Sequence, residues 1–122
     1  MEVRILVQGT SSIAVIESDE VLISEVQDAL DLMATIRHMY DCSKMILPAG
    51  SFCEDFYSLK TRLAGDILQK YTNYQVKLAI VGDFSKYPGK SLQDFIRESN
   101  RGNQIFFLPD EETAAKKLHS VK

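Results

Sequence analysis

Three times along this chain a short apolar run ends in small or polar residues and then opens into a segment of helical period. The junctions are Leu47-Pro48-Ala49-Gly50-Ser51, Val81-Gly82-Asp83-Phe84-Ser85 and Leu108-Pro109-Asp110. Strand, turn and helix repeated in this way point to an α/β fold with a mostly parallel sheet, because parallel neighbours need a long crossover between them. In such sheets the turns that follow the strands collect on one margin, where binding and catalytic groups are usually built. Spacing alone therefore reaches the fold class, but no residue pattern names a reaction.

The 122 residues fit one domain with one real core, and 45% apolar against 25% charged content is ordinary for a globular chain. Net charge is −3, from 14 basic and 17 acidic residues spread along the sequence. Without a basic stripe, a nucleic-acid backbone is not an expected partner. Lys116, Lys117 and Lys122 read as cations that complement the dipole of a last helix. Cys42 and Cys53 form neither a disulfide framework nor a C-x-x-C pair, which suits a reducing compartment. No secretory leader is visible, and no apolar run approaches the roughly 18 residues of a membrane span. A soluble, cytoplasmic protein is expected.

Val3, Ile5 and Val7 alternate with Arg4 and Leu6, as in a strand with one better-buried face. The turn cluster Gln8–Ser12 is too short for a crossover helix, so Ile13–Ile16 should pair with the first strand as an antiparallel hairpin. That second run is apolar throughout, as a strand covered on both faces would be. Ser24-Glu25-Val26-Gln27 has the form of a capping box, followed by Val26, Leu30, Met33 and Tyr40 at helical spacing. Met45–Leu47 makes a third strand. A second helix is predicted from Ser51, with Phe56, Leu59, Leu63, Ile67 and Tyr71 on one face. Gly65 lies inside it, where a close packing contact would account for a glycine. Val76–Val81 is the central strand. After a Gly82–Gly89 loop, Ser91 to Asp94 caps a third helix that Gly102 ends in the left-handed conformation. Ile105–Leu108 is the fifth strand, and Asp110 caps a final helix through Ala114, Ala115 and Leu118.

The segments Leu59–Tyr71, Lys77–Ser85 and Ser91–Asn100 resemble an uncharacterised bacterial family counted among the domains of unknown function, over essentially the whole chain. In element order the chain is also similar to the STAS domain, shared by anti-sigma-factor antagonists and sulphate-transporter tails. That resemblance implies a regulatory domain in which a serine or threonine opening the second helix is a phosphorylation switch. Ser51 falls at that position, although Pro48-Ala49-Gly50 and Phe52-Cys53-Glu54 replace the signature around it.

Read from its neighbours alone, Ser51 is an N-cap whose hydroxyl takes an orphan amide while Glu54 reaches back, stabilising the helix by about 0.5–2 kcal/mol. As a phosphoacceptor it would place a charge of about −1.5 to −2 at a helix start, against the repulsion of Glu54 and Asp55. Glu54, Asp55, Asp83 and Ser85 would share one rim if the two crossovers bring their loops together, and carboxylates clustered there would hold a divalent cation or share a proton as an acid/base pair. Acids in first turns are equally what helix dipoles favour. Cys53 is an inert thiol or, in a first turn, a reactive one. His38 and His119 read as cations near helix C-termini. The 82–90 loop is neither a Walker loop nor G-x-G-x-x-G, and its Phe84, Tyr87 and Lys86 suit a protein-binding surface unless Phe84 is tucked inward.

The expectation is a single α/β domain of order ββαβαβαβα, with a five-stranded, mixed but mostly parallel sheet, four helices and a STAS-like strand order. The expected function is a non-catalytic regulatory or protein-interaction module with a protein partner and no cofactor. A small-molecule or anion-binding domain, or a minor enzyme using the edge around Ser51 and Asp83, is the alternative, and a homodimer is open.

Overall fold

The computed structural model describes residues 1–121; Lys122, one of the three terminal lysines read as dipole partners, lies outside them. Five strands, β1 (Glu2–Gln8), β2 (Ser11–Glu17), β3 (Lys44–Pro48), β4 (Lys77–Val81) and β5 (Ile105–Leu108), form one sheet in sequence order. β1 pairs antiparallel with β2, and every later pair is parallel. Four helices follow the last four strands: α1 (Val26–Tyr40), α2 (Leu63–Asn73), α3 (Lys90–Arg101) and α4 (Glu111–Ser120).

Consecutive parallel strands placed side by side, with right-handed crossovers, put their helices on one face. α1, α2 and α3 accordingly share one core with Ile16, Met45, Leu47, Leu78, Ile80 and Phe107. The opposite side chains, Ile13, Val15, Ile46, Ala79 and Phe106, pack under α4 through Ala114 and Leu118. The apolar run of β2 is buried on both faces, as its composition predicts.

The hairpin turns at Gly9, whose φ of +62° is the value that glycine adopts without strain. β1 forms as expected, but neither of its faces is the better-buried one, since only Val3 and Leu6, on opposite faces, are half-buried. Val3 is half-buried, whereas Ile5 is 38% and Val7 67% exposed, since β1 overhangs the helices laid on the neighbouring strands.

Several termini differ from expectation, each for a local reason. Glu25 rather than Ser24 is the N-cap of α1, and Asp28 rather than Gln27 reaches back, accepting from the amides of Ser24 and Glu25 at 3.0 and 3.2 Å. The second helix does not begin at Ser51. Residues Ala49–Ser51, Glu54–Tyr57 and Leu59–Thr61 make separate 3-10 turns, and α2 starts only at Leu63. The cause is a competing partner: the Ser51 carbonyl accepts from the amides of Leu22 and Ile23, and the Cys53 amide donates to the Ile23 carbonyl. Backbone groups held in that short parallel bridge cannot also enter a helical ladder.

α3 starts at Lys90 with Gly89 as its N-cap, not at Ser91. Gly102 closes it in an extended conformation (φ −83°) rather than a left-handed one. Left-handed closure occurs instead at Asp41, after α1. Gly65 has no close neighbour to explain it, because a Cβ there would meet nothing within 4 Å. Asp110 does cap α4, its carboxylate accepting from the Thr113 amide at 2.7 Å.

Candidate functional site

The C-terminal ends of the parallel strands form one margin, and the loops after β3 and β4 leave it together. Pro48 pairs with Val81, and a Cβ on Gly82 would stand 2.6 Å from that of Ala49. Leu78–Val81 lies in parallel ladders on both sides. The shared margin expected from the junctions is therefore present.

The groups on it are placed differently from one another. Ser51 is fully buried; its hydroxyl has no hydrogen-bond partner among the described residues and caps no helix. A phosphate could reach it only if the segment opened. Glu54 and Asp55 are exposed in the first turn of a 3-10 segment. Asp83 accepts from both the amide (3.0 Å) and the hydroxyl (2.6 Å) of Ser85. Those two bonds, the hydroxyl first, hold the Asp83 carboxyl below its usual range. Glu54, Asp55 and Asp83 do not close into a carboxylate cluster: among the described residues no three His, Cys, Asp or Glu side chains gather as a cation site would need.

The aromatic residues turn inward. Phe84 is half-buried and stands edge-on to Phe107, while Tyr87 stacks on Tyr57 with ring centres 4.5 Å apart. Tyr57 in turn donates to the Ala49 carbonyl at 2.6 Å, and burial raises its phenol pKa well above the ordinary value. Gln93 of α3 donates to the Phe84 and Tyr87 carbonyls at 2.9 and 2.7 Å. The 82–89 loop is thus pinned to the body, leaving Lys86, 5.3 Å from the Tyr87 ring centre, as its exposed cation. What this margin offers is a polar rim over a sealed aromatic floor.

At the opposite margin, where the parallel strands begin, there is an open cleft of about 630 Å³ among residues that include Ser11, Ser43, Lys44 and His119. Lys44 donates to Ser11 Oγ (2.9 Å) and to the Val121 carbonyl (2.8 Å), and Ser11 Oγ stands 2.8 Å from His119 Nδ1. With Lys44 as donor, the Ser11 hydroxyl has its own proton to give to a neutral imidazole. Burial, and then the nearby Lys77, lower the Lys44 pKa from its ordinary value. Lys77 itself is buried and donates to the Asn103 carbonyl at 2.6 Å, just beyond α3. Each lysine thus meets a carbonyl just past a helix C-terminus, where cations are favoured. Serine, imidazole and ammonium together can bind a polar or anionic group. Sequence spacing could not find them, because Ser11 lies 33 residues from Lys44 and 108 from His119.

A third surface is apolar. On α1, Ala29 and Arg37 face α2, their contacts being to the Tyr71 hydroxyl and the Tyr74 carbonyl. Leu32 and Met39 lie two helical turns apart on α1, Leu32 partly buried against the core and Met39 65% exposed. On β1, Ile5 and Val7 are exposed apolar side chains along the sheet edge.

No curated protein matches this chain, and no solved structure does. A family model described as a domain of unknown function (DUF4180) matches residues 8–118, nearly the whole length, and the chain belongs to that family.

Proposed function

We propose that this domain is a non-catalytic, cytoplasmic protein-interaction module of regulatory type, and that it engages its partner along β1. The observation that carries the reading is the bare sheet edge, a seven-residue strand with one side unpaired and with Ile5 and Val7 exposed. Such an edge is a template for an added strand, in which main-chain bonds supply affinity and alternate side chains supply selectivity. The element order, similar to that of STAS domains in bacterial regulators, supports the regulatory part. The polar rim of Glu54, Asp55, Asp83, Ser85 and Lys86, beside buried Ser51 and half-buried Phe84, gives a second contact area. A photo-crosslinking amino acid placed at Val7, with one at Ser91 as control, tests this in cells. An adduct to a protein from Val7 alone is expected. Absence of any Val7 adduct, with turnover of a metabolite by the pure protein, would overturn it.

The cleft at Lys44 favours a second reading, a binding site for a small anion. At 100 times its dissociation constant such a ligand would add about 2.7 kcal/mol to stability. Thermal shift with inorganic phosphate, on the wild type and Lys44→Met, separates this reading from the first.

A further inference from the structure

We propose that the partner of β1 is a second copy of this chain, paired antiparallel about Ile5 so that two five-stranded sheets join into one of ten strands. This rests on the reading of β1 as the interaction strand. Natural edge strands are blunted by lysine, proline, bulges or a covering element. β1 has none of these: it runs Glu-Val-Arg-Ile-Leu-Val-Gln and pairs with β2 through seven consecutive residues without a bulge. Its one cation, Arg4, is bound within the same protomer to Glu17 (2.6 Å) and Glu111, which leaves Glu2, at the strand's first position, as its other charge.

The pattern also selects the occupant. A two-fold axis through the joined sheet maps each face onto itself, so some residue must oppose its own copy. Centring on Arg4 would set two guanidinium groups against each other, which is unfavourable. Centring on Leu6 would leave Val3 opposite Gly9. Centring on Ile5 sets Ile5 against Ile5 and each Val3 against Val7 of the second copy. On the other face it sets Arg4 against Leu6, and Glu2 against Gln8. The apolar residues Val3, Ile5 and Val7 are symmetric about that centre, so the strand is complementary to itself.

The purified full-length protein tests this by light scattering over a concentration series, where the mass of two chains is expected. An Ile5→Cys variant, made with Cys53→Ser, should form a disulfide with its own copy, since opposed Cα atoms lie about 4.5–5.5 Å apart and within disulfide range. Gln8→Cys in the same background should not. Val7→Lys removes two Val3–Val7 pairs at once and should weaken the dimer by about tenfold or more, while at dilutions where both proteins are monomeric the melting temperature stays that of the wild type. A monomer at every concentration overturns the proposal, as does a dimer that links through Gln8→Cys and not through Ile5→Cys. A monomer whose Val7 photo-adduct is a different protein overturns self-pairing alone and leaves the interaction reading standing.

Discussion

A methyl group added at Gly82 would land 2.6 Å from Ala49 Cβ, while one added at Gly65 would touch nothing within 4 Å. Gly82→Ala should therefore cost about 1–3 kcal/mol by overpacking the margin between the two loops. Gly65→Ala, on an exposed helix surface, should instead stabilise by about 0.5–1 kcal/mol. Urea unfolding of the two variants gives opposite signs if the geometry is right. Ser51 is the residue whose sequence context is least informative. Ser-Phe-Cys-Glu has the letters of a capping box, but the backbone that would form the helix is bound to Leu22 and Ile23. A cap would lose stability on Ser51→Ala; a buried hydroxyl without a protein partner should lose none, and the variant should melt at or above the wild-type temperature. Asp110 is the opposite case, its role being local and hence readable. Its bonds to Thr113 depress the carboxyl pKa in the folded state. That stabilisation is complete above the ordinary carboxylate value of about 3.9 and fades as the pH falls through the lower, folded one. Acid melting curves should show this loss, and Asp110→Asn, which accepts the same bond uncharged, should flatten part of it.

At the scale of elements, the strands and the last helix follow from periodicity because their neighbours in sequence are also their determinants. The crossover from Ser51 to Arg62 does not. Its Phe52, Phe56 and Tyr57 are spaced for a helix, yet they are buried as a group of tilted and edge-on rings, and Arg62 turns left-handed (φ 68°) before α2 begins. A long-range bridge to Ile23 decides this conformation, and no window of local sequence contains it. α1 and α2 are joined by a similarly remote contact, the Tyr71 hydroxyl donating to the Ala29 carbonyl at 2.8 Å inside the core. Tyr71→Phe should lower stability by about 0.5–1.5 kcal/mol by equilibrium unfolding, with the ring packing retained.

In the whole molecule, three helices cover one face and α4 alone covers the other. Leu118, fully buried there, is thus a single point on which the second core depends. Leu118→Ala should cost about 2–5 kcal/mol, measured by chemical denaturation. The margin carrying Ser51 and Asp83 was legible because parallel connections force it. The floor of inward aromatics, the Lys44 cleft and the bare face of β1 were not, since each depends on which element ends up over which. The first strand is a cantilever: a tight hairpin joins it to the sheet along one side, and on its far side no strand among the described residues pairs with it. Beyond that ladder, its side chains are tied down by the Arg4 clasp to Glu17 and Glu111, made of solvent-exposed groups that dissolved ions screen. Ionic strength thus becomes a dial on how firmly this outer ribbon is seated, turned without disturbing the oily interior.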